Sequence, residues 1–201
     1  IKLCGEDTRV LKVSYAGEKG FEIHVHNGSM KKIYDELVQH GENFNLIHFG
    51  MLALDSMRLE KNYRSWKSDL TSDYTMLQSG LEKWIKFDKG NFIGKEAIKN
   101  EFDLGTSKKF VTLVVDDPED NKPFGEPVYL SPVFAGDDYL GPIVSSGYGH
   151  RVKKSISMAI LDDRNLNGLN DQLYIDVLGR KRKAYIVNEA LYDPENLKLR
   201  S

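Results

Sequence analysis

The second half of the chain contains six short strand-like segments, and this feature limits the possible folds more than any other. Turns rich in Asp, Gly, Pro and Asn separate the segments at intervals of roughly 10 to 15 residues, and no long helical pattern interrupts them. Short strands spaced in this way predict a small antiparallel barrel or sandwich. The segments are residues 110–115, 127–130, 143–146, 156–161, 173–177 and 184–188.

The residues before this strand-rich half mix strand and helix patterns. Residues 10–15 and 21–25 predict two short strands on either side of a glycine-containing turn. Ser29 is typical of a helix N-cap, and the helix that it begins has an apolar face and ends at Gly41. Residues 50–61 contain more apolar side chains than one surface stripe needs, so we expect a second helix that is well buried.

The pattern of the chain changes near Thr106. Before this point, residues 81–87 predict an alternating strand, and residues 91–103 predict a turn followed by a short helix. We therefore predict an α+β domain over residues 1–105 and a small antiparallel β-barrel domain over residues 106–201.

Composition and charge argue against several classes of partner. The 201 residues carry a net charge of −2 and only short basic runs, so we expect neither a nucleic acid nor a membrane as partner. No apolar run approaches the roughly 20 residues that span a bilayer. The one cysteine, Cys4, favours a reducing compartment. Because the chain starts at Ile1 and reads as strand at once, we expect a piece of a longer polypeptide.

The histidines and the cysteine give little sign of a metal or nucleophilic site. His24 and His26 fall on one strand face, as two metal ligands would, but no clear third ligand accompanies them. We therefore predict no metal site. Cys4 has no activating neighbour in the sequence, so we do not assign it as a nucleophile.

Glu22 is more informative, because it lies between Phe21 and Ile23 in a strand that resumes after a glycine-containing turn. A carboxylate in semi-apolar surroundings needs a partner, since burying it alone costs on the order of several kcal/mol. Two interpretations stay open. Glu22 can receive the paired N–H donors of a flat ligand such as a pterin, with Tyr15 nearby as an aromatic wall. Alternatively, Glu22 pairs with a core arginine such as Arg58 or simply faces solvent.

Five stretches, in order along the chain, carry a resemblance to a known family. The first three are YAGEKGFEIHV, ALDSMRLEKNYRSW and LTSDYTMLQSGLEKWIKFDKGNFIGKEAI; FGEPVYL and GPIVSSGYGHRVKKSISMAIL follow. Together they resemble the aminomethyltransferase (glycine cleavage T-protein) superfamily, and more closely the C-terminal folate-binding region of dimethylglycine and sarcosine dehydrogenases. The resemblance implies the C-terminal part of an aminomethyltransferase folate-binding domain, followed by a small antiparallel β-barrel.

The resemblance also implies a tetrahydrofolate site. The glutamate that holds the pterin ring in this family corresponds to Glu22, and the tyrosine that lies against the folate corresponds to Tyr15. The position two residues after the glutamate, here His24, also lines the site. We assign Ile23 to the same site and place Trp66 at its edge.

Departures from the family pattern favour the dehydrogenase branch. Leu54 stands where the T-protein typically has a folate-binding arginine, and RSW, which ends at Trp66, replaces a tyrosine and a glycine. Both changes fit the demethylating dehydrogenases. Two further departures indicate a divergent member of the family and leave its substrate open. Asn62 follows EK, and TMLQSGL stands in place of the usual TPLEAGL.

Other residues of the resembling stretches have mainly structural interpretations. Arg58 and Glu60 predict an internal ion pair. Gly147 and Gly149 predict a barrel turn in which glycine supplies a positive φ. Tyr148 and Arg151 are candidate contacts to the folate tail.

The function that the resemblance implies is shared between this chain and a longer protein. The family's acid–base aspartate and its FAD-binding oxidase half lie outside the chain, so we expect no catalytic residue within it. The whole protein would oxidise an N-methyl amine on FAD and capture the carbon as 5,10-methylenetetrahydrofolate. The alternatives are an aminomethyltransferase that works with a lipoyl carrier and a non-catalytic folate-binding module. The expected partners are a folate, an N-methylated glycine-type substrate and the upstream half, in a bacterial cytoplasm or a mitochondrial matrix.

Overall fold

The first elements of the fold are two short antiparallel strand pairs. β1 (Lys2–Leu3) pairs with β2 (Glu6–Asp7), and β3 (Arg9–Leu11) pairs with β4 (Glu22–His24). The two strands predicted around the glycine turn are therefore present, although each is shorter than its predicted range. The structure is a computed structural model, and it describes residues 1–116, 126–163, 166 and 173–201.

The helices of the described residues lie mainly between these strand pairs and the barrel. They are α1 (Asn27–Gly41), α2 (Met51–Glu60), α3 (Lys95–Leu104) and a C-terminal turn, α4 (Leu197–Arg200). None of the helices in the described part of the chain has the length and apolar character that crossing a membrane requires. The short helix predicted over residues 91–103 is confirmed as α3.

The start of α1 differs from the prediction. Its N-cap is His26, whose Nδ1 accepts a hydrogen bond from the N–H of Gly28 at 3.2 Å. Ser29, the predicted N-cap, instead donates to Glu6 Oε2 at 2.8 Å. The prediction was wrong because the serine hydroxyl is used between elements, where it joins the helix to β2.

Residues 81–87 do not form the predicted strand. Glu82–Trp84 is a single 3₁₀ turn, in which the N–H of Trp84 donates to the carbonyl of Leu81 at 2.9 Å. A strand needs a neighbour for its backbone hydrogen bonds. Here local i→i+3 bonds satisfy the backbone instead, and the side chain of Trp84 is exposed.

The predicted antiparallel barrel is confirmed. Its strands are β5 (Lys108–Val115), β6 (Pro132–Ala135), β7 (Asp138–Gly149), β8 (Lys154–Asp162), β9 (Leu173–Val177) and β10 (Arg180–Val187). They close in the order β10-β5-β8-β7-β6-β9, and every neighbouring pair is antiparallel. Residues 127–130, predicted as a strand, instead lead into a turn in which Ser131 N–H donates to Val128 O at 2.9 Å.

Most of the buried apolar side chains lie in the barrel. One cluster fills its interior, with Leu113, Val133, Ile143 and Ile175 fully buried. A second cluster lies on the outside of the sheet, where Leu59 of α2 packs with residues of β5, β7 and β8. The second helix is therefore buried only at its C-terminal end, while Met51 and Leu52 at its start are exposed.

Arg58 joins α2 to the barrel. Its Nη1 contacts Asp69 Oδ2 at 2.6 Å and its Nη2 donates to Ser145 Oγ at 2.9 Å, with both charged side chains almost fully buried. The predicted Arg58–Glu60 ion pair is wrong, because side chains two residues apart on a helix do not face each other. Glu60 instead accepts a hydrogen bond from the main-chain N–H of Arg151 at 2.7 Å.

Gly147 and Gly149 lie within β7 and not in a turn, and neither is among the glycines with positive φ. A Cβ on Gly147 would lie 2.9 Å from Leu59 Cδ1, and a Cβ on Gly149 would lie 2.9 Å from Glu60 Cγ. Their prediction as turn residues was wrong. These glycines allow α2 to approach the strand closely.

Candidate functional site

A tight loop, residues 12–21, connects β3 to β4 and depends on its glycines; we call it the strand-break loop. Gly17 has a φ of +80°, and a Cβ there would lie 2.7 Å from Lys61 Cγ. A Cβ on Gly20 would lie 3.0 Å from the carbonyl oxygen of Val13. The strand is interrupted here because glycine alone tolerates the backbone of Gly17 and the close approach of Lys61.

The ring of Tyr15 is fixed by the segment that follows α2. Its hydroxyl donates to the carbonyl oxygen of Arg64 at 3.1 Å. Its ring stacks on Tyr63, with a centroid distance of 6.3 Å and an interplanar angle of 16°. Tyr15 therefore presents a flat aromatic surface whose orientation is set by two separate contacts.

Glu22 and His24 lie side by side at the open edge of the β3–β4 pair. In the register, Glu22 faces Leu11 and His24 faces Arg9, so the two side chains share one face of the strand. Glu22 Oε2 is 3.2 Å from His24 Nε2, and the side chains are 58% and 54% exposed. Glu22 does not pair with Arg58. Its carboxylate is instead accessible from solvent.

The structure brings together some of the predicted site residues but not all of them. Ile23 faces Val10 in the register and is 38% exposed. Trp66 lies in the segment after α2, two residues beyond Arg64, where it forms an isolated β-bridge with Leu70, and it is 76% exposed. Within the described residues, Trp66 shares no hydrogen bond or ring contact with Tyr15 or Glu22.

Two surface cavities flank the strand pair. One, of about 460 Å³, is lined by residues that include Arg9, His24 and His26. The other, of about 410 Å³, is lined by residues that include Lys12 and Arg200. Neither cavity is lined by Tyr15 or Glu22, so the cavities do not locate the predicted folate site. Among the described residues, no group of three or more His, Cys, Asp or Glu side chains could hold a metal ion.

Sequence reasoning missed a polar cluster on the strand-break loop. Glu18 accepts hydrogen bonds from Arg151 and from the hydroxyl of Tyr192, the latter at 2.9 Å. Both hydrogen bonds lower the pKa of Glu18 below its usual value, and the one from Arg151 has the larger effect. The three residues are far apart in the sequence, so no local pattern could have revealed them. Arg151, the candidate for the folate tail, is engaged in this cluster.

The residues before the barrel leave many large apolar side chains in contact with solvent. Phe44, Ile47, Phe49 and Leu52 are between 61% and 90% exposed. Ile33 is the one large apolar side chain buried in α1. Soluble monomers rarely leave so much apolar surface uncovered. This part of the chain therefore offers a surface that another polypeptide segment can cover.

Two family models match the chain, one on each side of residue 100. The model described as "GCVT N-terminal domain" matches residues 1–89, and "Glycine cleavage T-protein C-terminal barrel domain" matches residues 108–193. The chain therefore belongs to the glycine cleavage T-protein (aminomethyltransferase) superfamily, as its motifs predicted. This is a family of folate-dependent, aminomethyltransferase-like proteins, and its matching members are enzymes.

Curated relatives come from two classes of enzyme. An aminomethyltransferase of Thermoanaerobacter sp. (strain X514) is 29% identical over 192 residues, which are 96% of this chain and 50% of the relative. The mitochondrial dimethylglycine dehydrogenase of Homo sapiens is 28% identical over 196 residues, which are 95% of this chain and 22% of the relative. The chain thus spans about half of the former and about a fifth of the latter. Sequence identities of 29% and 28% are too similar to assign the chain to the aminomethyltransferases or to the dehydrogenases.

A solved structure shares the fold. The crystal structure of glycine cleavage system aminomethyltransferase T from Bartonella henselae matches 92% of this chain and 50% of its own chain, with a TM-score of 0.78 and 20% identity. The α+β part and the closed six-stranded barrel are therefore the architecture of this family.

Proposed function

We propose that the chain is the tetrahydrofolate-binding, one-carbon-transfer region of a flavin-dependent dehydrogenase that demethylates an N-methyl amine of the dimethylglycine or sarcosine type. Such a protein captures the oxidised methyl carbon as 5,10-methylenetetrahydrofolate. The observation that carries the proposal is the solvent-accessible carboxylate of Glu22, immediately after a loop whose Tyr15 ring is fixed by Tyr63 and the carbonyl of Arg64.

Glu22 suits the 2-amino-pyrimidinone edge of a pterin. An ionised carboxylate only accepts hydrogen bonds, and that edge of the ligand presents two parallel N–H donors. Oε2 of Glu22 contacts His24, while Oε1 makes no hydrogen bond among the described residues. Both oxygens are within reach of an incoming ligand because the side chain is more than half exposed.

Two aromatic residues, Tyr15 on the loop before Glu22 and Trp66 after α2, suit the flat ring system of the same ligand. Tyr15 is held against Tyr63 and the carbonyl of Arg64, which orients its ring without a ligand. Trp66 follows on the same segment with an exposed indole, in keeping with a place at the edge of the site. Ile23 and His24 complete the set that we assign to folate binding.

This chain contributes to the reaction by positioning the folate. Holding the pterin plane at Glu22 would orient the nitrogens that accept the carbon, which removes much of the entropic cost of a bimolecular step. Capture at a bound acceptor also limits loss of a reactive aldehyde to water. We place FAD, which supplies the oxidation, and the acid–base aspartate outside this chain.

The choice of the dehydrogenase branch depends on particular residues. Leu54, half-buried on α2, is apolar where the T-protein has its folate-binding arginine, and the RSW segment ending at Trp66 also fits the demethylating enzymes. A T-protein-like aminomethyltransferase is the second candidate, since an aminomethyltransferase matches at 29% identity over 96% of the chain. A non-catalytic folate module is the third.

The uncovered apolar surface supports a role within a longer protein. The exposed side chains between Phe44 and Leu52 would be covered by the remaining half of the folate domain. The proposed partners are therefore that upstream half, a folate and an N-methylated glycine-type amine. We place the protein in a bacterial cytoplasm or a mitochondrial matrix.

Turnover by the longer protein that contains this chain tests the proposal. Purified protein is incubated with tetrahydrofolate and either sarcosine, dimethylglycine or an aminomethylated lipoyl carrier, and methylenetetrahydrofolate is measured. We expect product with an N-methyl amine, together with reduction of a bound flavin. Product from the lipoyl carrier alone would instead assign an aminomethyltransferase. Folate binding without turnover on any substrate would assign a non-catalytic module.

A further inference from the structure

The C-terminal end of α2 connects two distant segments of the chain. The main-chain carbonyl of Glu60 accepts a hydrogen bond from the N–H of Tyr192 at 3.0 Å. Its carboxylate Oε1 accepts from the N–H groups of Arg151 at 2.7 Å and Val152 at 3.2 Å. The turn between β7 and β8 and the C-terminal segment are thus fixed to the same buried residue.

Lys61, the next residue, supports both the strand-break loop and the C-terminal segment. Its aliphatic chain lies against Gly17, where a Cβ would be only 2.7 Å from Lys61 Cγ. Its Nζ contacts Asp193 Oδ2 at 2.9 Å and also donates to the main-chain carbonyl of Asp193. The side chains of Lys61 and Asp193 are 1% and 7% exposed, so their contact is shielded from water. Lys61 therefore links the position of the loop to that of the segment.

Glu18 completes the connection from the side of the loop. Its Oε1 accepts hydrogen bonds from Arg151 Nη1 and, at 2.9 Å, from the hydroxyl of Tyr192. The Arg151 guanidinium also lies over the Tyr192 ring, 4.0 Å from its centroid. Each of the three side chains thus contacts the other two, and two of them are already fixed through Glu60.

We propose that Glu18, Arg151 and Tyr192 form a latch that positions the strand-break loop, and with it Tyr15, for the ligand. This inference rests on the proposed folate function. Tyr15 precedes Glu18 by three residues, and its hydroxyl is bonded to Arg64 O at 3.1 Å. The loop is therefore fastened on both sides of Gly17. The latch residues act through Tyr15 and are positioning residues.

The charges of the latch stabilise one another. The hydrogen bond to Glu18 raises the pKa of Arg151, and the hydrogen bonds from Arg151 and then Tyr192 lower the pKa of Glu18. Burial, followed by the hydrogen bond to Glu18, raises the pKa of Tyr192. At neutral pH the latch therefore consists of a carboxylate, a guanidinium and a neutral phenol.

The latch can be tested by hydrogen exchange and by titration with 5-formyltetrahydrofolate, on this chain and on the longer protein that contains it. Arg151→Gln removes the cation, and Arg151→Lys keeps it. Asp137→Asn is the control, because it breaks another ion pair at the barrel surface, with Lys181 at 3.5 Å.

We expect Arg151→Gln to speed amide exchange in residues 14–20 while exchange in the barrel strands is unchanged. Binding should weaken by about two- to fivefold, as for loss of one partly exposed ion pair. Arg151→Lys should restore part of both effects, and Asp137→Asn should change neither.

Unchanged loop exchange in Arg151→Gln would overturn the latch. Faster exchange with unchanged affinity would overturn its positioning role. If the unsubstituted longer protein bound no folate, the proposed function would fail, and loop exchange would still decide whether the latch exists.

Discussion

Glu22 and His24 lie on the same face of β4, with Glu22 Oε2 3.2 Å from His24 Nε2. Both side chains are more than half exposed, so solvent weakens their attraction. A ligand that presents two N–H donors can therefore bind Glu22 without breaking a strong internal contact. We therefore expect Glu22 to be an available acceptor for the ligand, and His24 to contribute less to binding than Glu22.

Replacement of His24 tests this difference between the two residues. His24→Phe keeps a flat ring and removes the contact to Glu22, so we expect 5-formyltetrahydrofolate affinity to change by less than about fivefold. His40→Phe is a matched control, because His40 makes a similar exposed contact to Glu36 at 3.4 Å on α1. A loss greater than about tenfold in His24→Phe alone would show that His24 binds the ligand directly.

The exposed apolar surface predicts self-association of the chain in isolation. Uncovered apolar side chains and open strand edges favour dimers or aggregates. Sizing chromatography with light scattering measures the mass. Replacing Ile47 and Leu52 together by serine should shift the population towards monomer, while Leu178→Ser on a barrel turn, also well exposed, should not. A clean monomer of the unsubstituted chain would contradict this prediction.

The buried Arg58–Asp69 contact predicts a large stability effect. Asp69→Asn would remove the buried carboxylate from Nη1 of the Arg58 guanidinium, and loss of a buried partner typically costs about 3–5 kcal/mol. Asp55→Asn removes a more exposed partner of Arg58, at 2.7 Å, and should cost less than about 1 kcal/mol. Urea unfolding measures both. Equal, small losses in the two variants would show that the buried contact contributes little.

The pKa of Glu18 predicts how the stabilising effect of the latch depends on pH. Folding lowers this pKa from its usual value of 4.5, because Arg151 and then Tyr192 donate hydrogen bonds to the carboxylate. The stabilisation is therefore fully present above that value and is lost as pH falls through the lower, folded pKa. The difference in unfolding free energy between the unsubstituted chain and Glu18→Gln should be constant at neutral pH and shrink in acid. A difference that grows in acid would refute this.

Features with a local cause could be predicted from the sequence. Five of the six barrel strands were visible because alternation and turn residues recur along the chain, and α3 because a turn precedes a helical pattern. The sixth, β6, was missed, since a strand was predicted over residues 127–130 in its place. Residues 81–87 alternate in the same way, yet they form no strand, and Glu82–Trp84 is a 3₁₀ turn. Alternation alone does not reveal whether a neighbouring strand is available for pairing.

Features that depend on tertiary contacts could not be predicted. Arg58 was expected to pair with Glu60, its neighbour in sequence, but it pairs with Asp69, while Glu60 binds the main chain at Arg151. The contact of Glu18 with Tyr192 joins residues 174 positions apart. Glu22 and Tyr15 were candidates from their chemistry, which left two interpretations open, and the resemblance favoured folate; their role in folate binding is still a prediction.

The most direct test of the central claim is calorimetric titration of 5-formyltetrahydrofolate into the longer protein that contains this chain and into its Glu22→Gln variant. Glu36→Gln serves as a control for loss of an exposed carboxylate on α1. We predict that Glu22→Gln weakens binding by about 2–4 kcal/mol, roughly 30- to 1,000-fold, while Glu36→Gln has no effect. Equal affinity in Glu22→Gln and the unsubstituted protein would remove Glu22 from the site and contradict the account.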